Sequence, residues 1–124
     1  MADINVRESL KRDLPWVAGI VGVGFSIFLV SVQGFGYDSH AYWQAIRGEY
    51  YVNAPNTPDA FLYSPAFAQL LWPAAQLPWP VFNGLWMLAA SLTLAFLLKP
   101  LGWRLAVPLW LLCTPEIVSG NVFW

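Results

Sequence analysis

The chain has 124 residues, of which 58% are hydrophobic and 10% charged, with a formal net charge of -1. That balance lies outside the ordinary soluble class and offers no basic excess of the kind nucleic-acid binding needs. One cysteine, Cys113, excludes an internal disulfide and a cysteine-based metal cluster, and within its apolar run it reads as a small buried hydrophobe.

The charges are unevenly placed. None falls between Asp13 and Asp38, between Asp59 and Lys99, or between Arg104 and Glu116. A soluble domain would need charge in all three gaps to cover its surface. The chain therefore reads as an all-α, polytopic integral membrane protein with three spans and an outer loop carrying short interfacial helices.

Residues 1–14 form a polar leader with Arg7, Lys11 and Arg12. The apolar run 15–33 is longer than a signal-peptide core of about 7–15 residues and reaches about 28 Å as a helix, close to the ~30 Å hydrocarbon thickness. It reads as an uncleaved first span. Gly19, Gly22 and Gly24 lie near one side of it, where small residues admit a neighbouring helix. The basic leader places the N-terminus in the cytoplasm and the next loop outside.

That outer loop, 34–63, holds most of the polar chemistry. Ser39 to Gly48 reads as a short amphipathic helix, with Asp38 as its N-cap and Gly48 as its stop. Tyr42, Trp43 and Ile46 give it an apolar stripe suited to lying on a membrane. His40 reads as a solvated helix residue. The stretch from Tyr50 to Asp59, with two Asn and two Pro, is irregular chain.

The uncharged segment after Ala60 is long enough for two crossings, but only Val81 to Leu98 is free of proline over a full span. Two crossings would put Lys99 and Arg104 outside, against the positive-inside rule. We therefore read 64–79 as interfacial or re-entrant, 81–98 as the second span running inward, and 99–104 as a cytoplasmic turn. A third span, 105–118, is interrupted by Pro108 and Pro115 and returns outward. Residues 119–124 then lie outside, and Glu116 and Asn121 arrive at the same face as Asp38.

The order of motifs carries a resemblance. A basic leader and one span precede a loop opening Tyr37-Asp38. Tyr42, then Gly48-Glu49-Tyr50-Tyr51, then Phe61-Leu62-Tyr63-Ser64-Pro65 follow, and an apolar stretch closes on Leu77-Pro78. From Val32 onward this resembles the N-terminal part of the polyprenol-phosphate-dependent mannosyltransferases of glycosyltransferase family 87, in the GT-C class. The resemblance implies that Asp38 is the catalytic base, with Tyr42 and residues 48–51 in matching places. Tyr63-Ser64-Pro65 stands where the family has Tyr-Pro-Pro, and Gly120-Asn121 loosely matches a later signature. It also implies a chain with more spans than this one, so that the sequence is expected to be a fragment, inactive by itself.

The expected activity is transfer of a hexose, mannose by the resemblance, from a polyprenyl-phosphate donor to a hydroxyl of a glycolipid or glycan acceptor at the outer face of the plasma membrane. Such a donor carries its own leaving group, so transfer needs mainly a base and alignment. Arg47 is the one cation of the loop and the candidate for the departing phosphate; pairing with Glu49 or reaching lipid phosphate would explain it equally well. Tyr42, Tyr63, Glu116 and Asn121 are the other candidate substrate contacts. No cofactor is named by the residues, a divalent metal stays open, with Glu116 able to steer either a metal or the acceptor, and no nucleic-acid partner is expected. Two alternatives stand beside this reading: a small non-enzymatic membrane subunit, in which Asp38 is only a helix cap, and a transporter fragment, disfavoured by the lack of an ionisable residue inside the spans.

Overall fold

The structure, a computed structural model, describes residues 2–46, 51–55 and 57–121. Among the described residues the regular structure is helical, with no strand, and 51–64 is turns and irregular chain apart from the undescribed position 56. Helix α1 is Ala2–Gln33, α2 Tyr37–Ala45, α3 Pro65–Ala75, α4 Trp79–Leu98, α5 Trp103–Leu112 and α6 Thr114–Ser119; a short 3-10 turn, Lys99–Leu101, links α4 to α5.

Two helical stretches, Glu8–Gln33 and Trp79–Leu101, are long and apolar enough to cross a membrane. Only 17% of each apolar window is buried, which separates them from the core helices of a soluble protein. Ile20, Phe28, Leu92 and Phe96 are among the large apolar side chains facing outward along them. The polar leader is not a separate segment. It continues α1 through Pro15, because Arg, Glu, Leu and Lys are good helix formers and Glu8 and Lys11 pair across one turn at 3.2 Å.

The contacts fix the helix directions. Gly19 lies against Pro108 and Gly22 against Leu111, Ser26 Oγ is 2.7 Å from Thr114 Oγ1, and Gly36 N–H donates to Val118 O at 2.8 Å. Numbers rise together, so α1 runs parallel to α5 and α6. On α4, Trp86 Nε1 donates to Gly120 O while Trp110 Nε1 donates to Ser91 O. There the numbers run oppositely, so α4 is antiparallel to both. One end of this three-helix unit carries the 99–102 turn; the other carries α2, α3 and the end of α6.

Small residues bring α1 and α5 together. A Cβ on Gly22 would sit 2.6 Å from Leu111 O, and one on Gly19 would sit 2.9 Å from Pro108 O; Gly24 meets nothing within 4 Å and takes no part. Gly22→Ala should therefore cost about 1–3 kcal/mol by overpacking, whereas Gly24→Ala should be neutral or more stable by up to about 1 kcal/mol. Thermal unfolding of both variants in detergent checks this, and a Gly22→Ala protein as stable as Gly24→Ala would contradict the packing.

The expected third span begins earlier and breaks elsewhere than anticipated. Pro108 is accommodated inside α5, buried against Gly19, and the interruption falls at Cys113, with Pro115 in the first turn of α6. At ~1.5 Å per residue α5 and α6 together reach about 25 Å. The second expected span starts at Trp79 rather than Val81, since Pro78 caps it and Pro80 fits the first turn, where no backbone donor is lost.

Segment 64–79 supplies α3, whose 11 residues extend about 16 Å. Phe61 before it and Leu77 after it join the same apolar cluster, so the chain enters and leaves at one end of the unit. That cluster gathers Tyr42, Ala45, Phe61, Ala68, Ala75 and Phe82, with Trp43, Trp79 and Trp86 packed against it. Pro65 at the start of α3, behind the extended Ser64, uses the fixed φ of proline to turn the chain into the helix.

Two expectations about the loop helix need correction. The helix is Tyr37–Ala45, not 39–48, and its N-cap is Gly36 in the left-handed conformation with no side-chain cap hydrogen bond. Asp38 is thus inside the first turn and is not the cap. Tyr42, expected to face lipid, is 3% exposed and lies in the apolar cluster, because α3 and α4 cover the stripe that would otherwise lie on a membrane. Arg47, Gly48, Glu49 and Tyr50 lie outside the described residues, and with them the expected stop at Gly48.

Candidate functional site

The site is built on a polar junction between α2, α4 and α6. Ser39 is fully buried in α2, and its hydroxyl reaches Asn83 Oδ1 at 2.8 Å and Gly36 O at 3.1 Å. Gly36 and Gly120 both have φ near +70°, which suits glycine. A Cβ on Gly36 would run into the Asn83 side chain, and one on Gly120 into Ser39. With Trp86 Nε1 on Gly120 O at 2.9 Å, these contacts fasten the start of α2 to the end of α6. Buried polar groups demand such partners, and here meeting the demand sets the geometry.

The consequence is that Asp38 and Glu116 share one end of the molecule, close enough for the Glu116 charge to act on Asp38. Asp38 is half-buried, and its carboxyl is held above the usual carboxylate range, first by desolvation and then by repulsion from Glu116. Both causes disfavour the ionised form. Among the described residues no hydrogen bond or ion pair reaches the Asp38 carboxylate, whereas Glu116 Oε2 accepts from Asn121 Nδ2 at 3.3 Å and Glu116 O from the Asn121 backbone N–H at 3.1 Å. Asn121 is therefore the brace of the Glu116 side chain.

Tyr42 lies one turn after Asp38 on α2 and brings in a second tyrosine. Tyr42 Oη is 3.4 Å from Tyr63 Oη, and the two rings meet edge to face at 5.3 Å. Tyr63 O accepts from Tyr51 Oη at 2.6 Å. Tyr63 remains partly exposed and can meet a ligand at the rim, while the buried Tyr42 supports it from within. Arg47, proposed for the phosphate, lies outside the described residues.

His40 is not solvated in the expected sense. Its Nδ1 pairs with Asp59 Oδ1, and its ring stacks on Trp43 at 5.6 Å and meets the edge of Trp79 at 4.7 Å. At 100° per residue it projects about 200° around α2 from Asp38, so it clamps the loop on the other side of the helix and does not join the carboxylate pair. The 19-residue separation of this pair leaves no local pattern to find it by. Asn83, also missed, had a usable signal: an amide at the fifth position of a largely apolar helix needs a buried partner.

Among the described residues no three His, Cys, Asp or Glu side chains group as metal ligands. What the arrangement can do is accept a proton at Asp38 and hydrogen-bond hydroxyls at Glu116. No family model, curated protein or solved structure matches the chain.

Proposed function

We propose that the protein is a membrane glycosyltransferase that moves a hexose, mannose by the resemblance above, from a polyprenyl phosphate to an acceptor hydroxyl, with Asp38 as general base. The observation that carries this is a half-buried carboxylate with a raised pKa, beside a second carboxylate, at the end of two membrane-length helices. By the positive-inside rule that end faces outward, opposite Lys99 and Arg104, with α5 and α6 as a third crossing.

In the reaction, the acceptor oxygen attacks the anomeric carbon while Asp38 takes its proton. The bond from that carbon to the phosphate oxygen breaks, the electron pair leaves with the phosphate, and the anomeric configuration inverts. A higher pKa makes Asp38 a stronger base than an ordinary Asp, provided it is ionised at working pH. Glu116 keeps the pKa up and receives acceptor hydroxyls; Tyr63 borders the sugar, and Arg47 meets the departing phosphate.

The pH profile tests this directly. Transfer by the complete enzyme should rise with pH as Asp38 loses its proton, with a midpoint above that of an ordinary aspartate. Glu116→Gln removes a repelling charge, so the rise should move to lower pH. A profile that Glu116→Gln leaves in place would exclude Asp38 as the titrating base.

A further inference from the structure

Two exposed cations, Lys99 and Arg104, flank the turn between α4 and α5. On the adjoining end of α1, Glu8 pairs with Lys11 and Asp13 with Arg12, so those four charges cancel. Among the described residues no ion pair reaches Lys99 or Arg104. The Arg104 guanidinium lies 5.5 Å from the centre of the Trp103 ring, a cation–π contact that leaves its N–H edge for an oxyanion.

An apolar groove of about 290 Å³ opens beside this turn, lined by Ser91, Ala95 and Leu98 of α4 and by Ala106, Val107 and Trp110 of α5. Helical spacing leads from the groove to the cations. Lys99 follows Ser91 and Ala95 in steps of four, and Trp103, beneath Arg104, precedes Ala106 and Val107 by three and four. From Ser91 to Lys99 the helix rises about 12 Å. At the end away from the turn, Trp110 Nε1 donates to Ser91 O at 3.2 Å and joins the two helices.

We propose that this groove seats one acyl chain of an anionic phospholipid, with the lipid phosphate at Lys99 and Arg104. Charge selects the head group. Two uncompensated cations beside a groove that no Asp or Glu lines favour a net-negative lipid over a zwitterionic or cationic one. Depth selects the tail. The stretch Trp79–Leu101 is long and apolar enough to cross a membrane, so its end at 99–101 lies at the water interface, where a phospholipid carries its phosphate, and the groove runs from there into the hydrocarbon region. A free phosphate would leave the groove unfilled, and an apolar neighbouring helix would leave the cations unanswered. The inference uses the membrane setting of α4 and α5 and nothing of the transferase reading.

The test places the protein in phosphatidylcholine nanodiscs with a low mole fraction of phosphatidylglycerol bearing a diazirine midway along one acyl chain. After photolysis, adducts are mapped by mass spectrometry and are expected on Ala95, Val107 and Trp110. Each Lys or Arg near an anionic lipid is worth about fivefold, so phosphatidylglycerol should label these positions about 25-fold more than the same reporter on phosphatidylcholine, a comparison made on wild type. Lys99→Gln and Arg104→Gln should each lower that preference about fivefold, and the double variant should abolish it, whereas Lys99→Arg should keep it. Equal labelling by the two lipids, or a preference unchanged in the double variant, would overturn the proposal. So would adducts absent from this groove, whether spread over the outward faces of α1 and α4 or gathered in the groove at Leu94 and Ile117. Displacement of the labelling by millimolar inorganic phosphate at constant ionic strength would assign the cations to free phosphate and overturn it as well.

Discussion

In the complete enzyme, Asp38→Asn is expected to lower kcat for transfer by about 10²- to 10⁴-fold, the usual contribution of a positioned general base, while KM for the donor changes little. Asparagine keeps the shape of the side chain and removes only its ability to take the proton. The same substitution should not weaken the fold. Burial and Glu116 raise the pKa of Asp38 in the folded state, so the folded protein binds more protons than the unfolded chain between the unfolded and the folded pKa. Stability from this group is therefore present at low pH and lost as pH rises through that window. Above that window the ionised carboxylate is a burden, and Asn should there be as stable as wild type or slightly more so. Loss of activity with retained or increased melting temperature marks a catalytic role. Joint loss of both would make Asp38 a structural residue.

Phe82→Ala should have the largest effect on stability. Phe82 is 2% exposed and lies between Trp79 and Trp86, with ring centroids at 6.3 Å and 5.8 Å. Truncating such a ring removes buried apolar surface and leaves a cavity that neighbouring tryptophans fill poorly, a loss of about 3–5 kcal/mol. The damage also reaches the site, because Trp86 holds Gly120 and Asn83 follows Phe82 directly. Phe82→Leu preserves more of the volume and should cost less than about 1.5 kcal/mol. Chemical denaturation in detergent distinguishes the two variants; equal stability of Phe82→Ala and wild type would mean that the aromatic cluster does not organise this end of the molecule.

Much of the architecture was legible because lipid and proline impose strong local rules. The charge-free gaps mark α1 and α4, and Pro65, Pro78 and Pro80 mark helix starts to within two residues. Counting helix directions from the basic leader placed Asp38 and Glu116 at one end, and the contacts between α1, α4 and α6 agree. Tyr42 shows where local rules stop. A stripe at positions 42, 43 and 46 is the same whether lipid or protein covers it, and only α3 and α4, more than twenty residues away in sequence, decide that protein does. Asp38 illustrates a second limit. Aspartate before a helical stretch reads as a cap, but Gly36 can adopt a left-handed conformation that starts the helix earlier and leaves the carboxylate uncommitted. The junction of Ser39, Asn83 and Gly120 depends on three distant segments meeting, and no spacing in the chain announces it.

Sugar transfer with Asp38 as general base has a stereochemical consequence, inversion at the anomeric carbon. The assay supplies radiolabelled polyprenyl-phosphate mannose to membranes containing the complete enzyme and determines the product's anomeric configuration. A labelled acceptor of inverted configuration is expected, formed by wild type and absent with Asp38→Asn. Product of retained configuration, or label in the acceptor no greater than in membranes lacking the protein, would contradict it.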